Sequence, residues 1–144
     1  MKVIVISGAS SRVGKTTLAL GLQRVLPGAE VVKIGHGPRK IRIENHFYEL
    51  GTPFDTIRKN HPDARWLLVE SNSVLREIQP DLVIYLEGPH PKPSAEEARR
   101  RADIVSGREV DDDGVARLAV RLGITFGLMR AILRLVPGAS PQIR

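Results

Sequence analysis

The sequence has no cysteine. That excludes disulfides, thiolate zinc sites, iron–sulfur ligation and a cysteine nucleophile. Aromatic residues make up only 4% of the chain, so platforms on which single-stranded bases could stack are scarce and a nucleic-acid partner is not expected. No apolar run approaches the roughly 18 residues of a membrane-spanning helix. Lys2 is followed by an apolar run only from Val3 to Ile6, shorter than a signal-peptide core. A cytoplasmic protein with no membrane partner is expected. Acids also stop early: none follows Asp113, whereas Arg117, Arg121, Arg130, Arg134 and Arg144 do.

What is there is ordinary in bulk and skewed in charge. A length of 144 residues suits one domain spanning 1–144, with 137–144 expected as a frayed tail after Pro137. Apolar residues are 42% and charged residues 26%, as in soluble globular proteins. The formal charge is +6 and the isoelectric point about 10.2. Such an excess suits a polyanion, whether nucleic acid, anionic lipid or a phosphate ligand.

The patterning alternates strand and helix. Lys2 to Ser7 is a β-branched apolar run that fits a strand buried on both faces. Leu18, Leu22, Val25 and Leu26 then recur at helical spacing until Pro27 and Gly28. Val31 to Ile34, Trp66 to Glu70, Asp81 to Glu87 and Ala102 to Ser106 read as further strands. Residues 35–51 show no period and read as loop. Thr52 reads as an N-cap with Pro53 opening a short helix, Ser73 to Gln79 as another, and Ser94 to Glu97 as a capping box. Asp111 to Asp113 precede a helix stopped by Gly123, and a final helix runs from about Thr125 to Val136. Crossovers of this kind predict a mainly parallel sheet with helices on both faces.

Between the first strand and first helix lies the chemistry-bearing segment. Ala9 to Thr16 fits the relaxed Walker A pattern (A/G)xxxxGK(S/T), with Gly8 one residue earlier where the strict form needs glycine at Ala9. Such a loop wraps phosphates in backbone N–H groups, so it is small and flexible. This gives Gly8, Ala9, Ser10, Ser11, Arg12, Val13, Gly14, Lys15, Thr16 and Thr17 as phosphate-loop residues. Gly14 lets the backbone approach, Lys15 supplies charge at the terminal phosphates, and Thr16 offers a hydroxyl to magnesium. A magnesium site also needs an acid at the end of another buried strand. Glu70 follows Trp66 to Val69 and fits that need; Asp55 and Asp63 sit at helix ends, where capping is the ordinary reading. Lys15 and Glu70 are therefore the candidate catalytic groups, and Thr16 and Glu70 the candidate metal-binding ones.

With Ser7 to Thr17, Lys33 to His36 and Leu68 to Ser71 in view, the chain resembles the P-loop proteins of molybdopterin-guanine dinucleotide biosynthesis, protein B (MobB). The resemblance covers the first half of the chain. It implies a three-layer P-loop NTPase domain binding GTP with Mg2+, in an accessory role in molybdenum cofactor biosynthesis with slow hydrolysis and a protein partner. It matches Lys33 with His36 to the motif after that family's second strand, and Val69 with Glu70 to the Val-Glu-Gly type motif that ends a later strand. The family's acidic motif after the histidine is missing, and Ser71 and Asn72 stand where glycine and an aromatic residue are usual. No Asn-Lys-x-Asp motif for guanine is present, so GTP over ATP follows from the resemblance alone. The loop is also similar to that of dethiobiotin synthetase, which implies an ATP-dependent small-molecule kinase or phosphoryl-activating ligase as the alternative. A nucleic-acid-associated NTPase ranks third.

The remaining features have bland and sharp readings side by side. Lys33, His36, Arg39, Lys40 and Arg42 are either a solvated loop or a second anionic site at the carboxyl edge of the sheet. The loop from Gly88 to Pro93 is a rigid turn or a flank for the base. Asn72 orients a ligand beside Glu70 or caps the next helix. His46, His61 and His90 lack metal-ligand spacing and read as surface or loop residues. Phe126, Met129, Ile132 and Leu133 form a stripe that docks on the core, with a partner or homodimer surface as the alternative.

Overall fold

The β-branched run at the start has no solvent-facing side. In the computed structural model, which describes residues 1–36 and 46–141, every residue from Val3 to Ala9 is buried. Lys2–Gly8 forms strand β1, joined in one sheet by β2 (Ala29–Gly35), β3 (Phe47–Glu49), β4 (Trp66–Glu70), β5 (Leu82–Leu86) and β6 (Ile104–Val105). The order is β3-β2-β4-β1-β5-β6 and all pairs are parallel. A parallel sheet must be covered on both faces by its crossovers.

The strands serve the two faces by strict alternation. Ile4, Ile6, Leu68, Ile84 and Ile104 enter one apolar cluster, with residues of α1 (Lys15–Val25), α4 (Asp112–Leu122) and α5 (Phe126–Leu135). Val3, Val5, Val69, Val83 and Val105 enter the other, with α2 (Phe54–Lys59), the 3-10 helix Ser73–Arg76 and α3 (Ala95–Arg101). The sheet is thus the middle of three layers. We call the α1 side the first face and the α3 side the second. No helix among the described residues is long and apolar enough to cross a membrane.

The five expected strands are all present, and the differences from expectation share a cause. Phe47–Glu49 lies in the segment read as loop, yet forms the edge strand beside β2. Three residues are too short to show a period, and this strand exists through its ladder, flanked by Lys33 N–H donating to His46 C=O and Leu50 N–H to Gly35 C=O. Thr52 is not an N-cap: its hydroxyl donates to Glu49 C=O, Pro53 takes the cap position, and the Phe54 N–H donates to the Glu77 carboxylate. The Ser94 capping box does not form, because Ser94 has helical dihedrals and its side chain makes no cap hydrogen bond. Ser73 to Gln79 shortens to the 3-10 helix. Of the tail expected to fray, Ala139 is fully buried, Gly107 N–H donates to Pro137 C=O, and Val110 N–H to Ala139 C=O. Residues 142–144, and Arg39, Lys40 and Arg42 of the basic segment, lie outside the described residues.

His61 is the clearest surface expectation that fails. It is 2% exposed. Asn60 Nδ2 donates to the Tyr48 hydroxyl at 3.2 Å, the hydroxyl donates to His61 Nε2 at 3.0 Å, and His61 Nδ1 donates to the Glu30 carboxylate at 2.9 Å. Both ring nitrogens are satisfied, so burial leaves no orphaned polar atom. The network ties the exit of α2 to β2 and to the edge strand.

Candidate functional site

The segment from Gly8 to Thr16 runs from the carboxyl end of β1 into α1. Its underside is anchored by Val13. A Cβ on Gly8 would lie 2.6 Å from Val13 Cγ2, and one on Gly88 would lie 2.6 Å from Val13 Cγ1. The two glycines therefore make the slot that holds this valine. Ala9 is also structural: its side chain is buried in the second-face core, its N–H donates to Leu86 C=O, and its C=O accepts from Lys92 N–H. Arg12 and Gly14 both take left-handed backbone, with φ of 68° and 101°. That conformation is free for Gly14 and costs Arg12 about 1 kcal/mol or more. Gly14 then caps α1, its C=O accepting from Leu18 N–H.

Strand parity places the charged groups. Glu70 follows Trp66 and Leu68 on the first face, where α1 begins. It is only 4% exposed, and its carboxylate accepts from the Thr16 hydroxyl at 2.9 Å. Lys33 stands in register with Glu70 on the neighbouring strand, with Val31 on its own side packed against the first-face core. Lys15 bends back over the loop to donate to Ser10 C=O at 3.2 Å. Partial burial pulls its pKa down; the Glu70 carboxylate raises it, and Lys33 and Lys92 lower it further. An incoming anion would offset that burial penalty and favour the charged amine.

Asn72 does not cap the 3-10 helix through its side chain, and it lines the same cleft as Glu70. Its Oδ1 accepts from Gly8 N–H and its Nδ2 donates to Gly8 C=O, each at 3.1 Å. β4 pairs with β1 up to Ile6 opposite Glu70, and Ser71 N–H donates to Ile6 C=O. One rung further on, β4 has already turned into the 3-10 helix. The carboxamide stands in for the missing peptide and extends the ladder to the base of the loop.

Above these residues opens a cleft of about 990 Å³, at the upper end of small-molecule sites. Ser10, Ser11, Arg12, Gly14, Lys15, Thr16, Thr17, Lys33, His36 and Glu70, all singled out in the sequence, line it. Gly8, Ala9 and Val13 support it from beneath. Sequence reasoning missed Arg76, Ser73 and Ser94, which also line it, as does Lys92 of the Gly88 to Pro93 loop, which reads in the sequence as a rigid turn or a flank for the base. Lys92 sits in the proline-rich turn at the sheet's carboxyl edge, and that location was the available signal; Arg76 had none. Among the described lining residues Arg12, Lys15, Lys33, Arg76 and Lys92 are basic, and Glu70 is the one carboxylate.

The arrangement can attract an anion and offers oxygen donors to a hard cation beside it. Among the described residues no group of three or more histidine or acidic side chains is placed to hold a metal alone. A hydroxyl and one carboxylate instead fit a cation that takes its other oxygens from a bound anion and water, as magnesium does. No protein-family model, curated protein or solved structure matches the chain. The fold and site define a parallel α/β protein with a cationic cleft at the carboxyl edge of its sheet.

Proposed function

We propose that the chain is a P-loop protein that binds a magnesium nucleoside triphosphate. The observation that supports this best is the Thr16 hydroxyl on the buried Glu70 carboxylate at 2.9 Å, one residue after Lys15 at the start of a helix. The loop N–H groups and the positive end of α1 would receive the phosphates. Lys15 would offset their charge, and Thr16 with Glu70 would hold the magnesium, which neutralises the phosphate oxygens when bound. GTP as the base, and an accessory role in molybdenum cofactor biosynthesis with a protein partner, rest on the likeness of the motif residues to MobB. Slow hydrolysis rests on the same likeness; Arg12 is the loop residue available to lean over the phosphates. Lys33, level with Glu70 on the same side of the sheet, favours a second reading, an ATP-dependent small-molecule kinase or phosphoryl-activating ligase.

Thermal unfolding with GTP, ATP and their diphosphates, with and without Mg2+, tests this. A ligand at a hundred times its Kd stabilises by about 2.7 kcal/mol, a rise of roughly 10 °C for a chain of this size. GTP preference supports the first reading and ATP preference the second. Lys15→Ala is expected to abolish the rise, and a rise that survives it shows the phosphate-loop assignment to be wrong. Without ligand the same variant should not lose stability. Burial penalises the charged amine in the folded state, so the wild type is held back below the lowered pKa. That penalty is relieved as pH rises from the lowered pKa to the unfolded value, where the unfolded chain binds more protons. The wild-type-minus-variant stability difference should therefore climb with pH in the alkaline range.

A further inference from the structure

The cleft has two walls, and the loop supplies one of them. Lys15 and Thr16 open α1 on the first face, and Glu70 and Lys33 lie on that side by strand parity. The other wall comes from second-face elements: Arg76 of the 3-10 helix follows buried Val74 and Leu75, and Lys92 and Ser94 precede buried Ala95. Among the described residues, none lining that second wall is acidic. Of the neighbouring arginines, Arg99 pairs with Glu87, and Arg101 with Glu97 and the carbonyls of Leu75 and Ile78. The side chains of Arg76 and Lys92 have no ion pair or hydrogen bond among the described residues.

Lys92 is also held in place. Pro91 and Pro93 fix the backbone on either side of it, and its N–H donates to Ala9 C=O at 2.8 Å. The proline-flanked turn, tied to Ala9, places a cation beside the loop. Ser94, released from capping, adds a hydroxyl to the same wall. Five cations against one carboxylate exceed what a single magnesium-neutralised triphosphate answers.

We propose that Arg76 and Lys92, with the Ser94 hydroxyl, form a second anion subsite on the second-face wall of the cleft, which takes the phosphate group of a second substrate. Guanidinium and ammonium groups are the usual partners of phosphate oxygens. The proposal rests on the nucleotide reading for its partner ligand, though not for the anion site itself.

The test is thermal unfolding of the full chain with inorganic phosphate added to protein already saturated with Mg-GTP or Mg-ATP. A further rise of several degrees is expected, at least tenfold weaker in apparent affinity in Arg76→Gln/Lys92→Gln, while the rise due to nucleotide alone persists. Malonate in place of phosphate separates a carboxylate site from a phosphate site: an equal or larger rise overturns the phosphate assignment. No further rise, or one unchanged in the double variant, overturns the subsite. If no nucleotide stabilises the protein, phosphate alone is compared in the wild type, Lys15→Ala and the double variant. Loss confined to the double variant upholds the second subsite although the nucleotide reading has failed. Loss in Lys15→Ala with none in the double variant leaves the loop as the anion site and overturns the proposal.

Discussion

The two faces of the sheet are built by different means. On the first face the helices carry their own ends. Asp111 accepts from Gly114 N–H, Thr125 accepts from Leu128 N–H, and Gly123 closes α4 in left-handed backbone. Their stripes bury Leu118, Leu122, Met129 and Ile132 at helical spacing. On the second face the ends are closed from far along the chain: the first N–H of α2 is taken by Glu77, and Arg101 of α3 reaches the carbonyls of Leu75 and Ile78. The candidate site straddles this divide, with α1 on one side and Asn72, Arg76 and Lys92 on the other. Local encoding makes the first face robust and legible; the second face depends on the sheet being assembled.

The largest expected effect tests that dependence. His61→Ala removes a buried ring and, in one step, the hydrogen bonds to the Tyr48 hydroxyl and to the Glu30 carboxylate of β2. A cost of about 3 kcal/mol is expected from cavity and lost hydrogen bonds, a fall in Tm of roughly 10 °C. Chemical denaturation should show the loss with little change in nucleotide affinity, since the network lies outside the cleft lining. A loss under about 1 kcal/mol would mean that the second face does not rely on its remote contacts.

Asn72→Ala comes next and sharpens the comparison, because it strikes where the two faces meet. It removes both hydrogen bonds to the Gly8 peptide, at a cost of about 1–3 kcal/mol. Unlike His61→Ala, it should also weaken nucleotide-induced stabilisation by roughly tenfold in affinity, because the base of the loop loses its register with Glu70. Asn72→Asp keeps the acceptor for Gly8 N–H but not the donor for its carbonyl, and should fall between. Stability lost with affinity intact would make Asn72 a fold residue alone.

The same division governs what could be read from the sequence. The first-face helices were legible to within a few residues, because period, cap and stop signal all sit within one segment. So was the loop between β1 and α1, whose Gly8, Val13 and Gly14 meet its packing and backbone needs within one short span. Thr52 and Ser94 carried cap chemistry that was not used, because Glu77 served one helix and helical dihedrals at Ser94 removed the other. β3 was invisible because three residues beside β2 form a strand only once β2 is there. His61 looked like a loop histidine because its partners, Glu30 and Tyr48, are 31 and 13 residues away in sequence. For Arg76 the cleft itself, formed by strand order, is the missing information.

The smallest expected effect is the control for all of these. Thr125 caps α5 through its hydroxyl at 3.0 Å from Leu128 N–H, and Thr125→Ala should cost about 1 kcal/mol, some 3–4 °C in Tm. The lesion is confined to the first turn of a helix whose buried stripe, Met129 to Leu133, stays in place. Nucleotide affinity should be unchanged, since α5 meets α1 along its length, at the Leu135 side chain beside Gly21, rather than at the loop. Titrating the variant with nucleotide under the same unfolding conditions checks this. An affinity loss as large as that of Asn72→Ala would show that the first face is not locally independent, and that α1 transmits strain from α5 to the loop that precedes it.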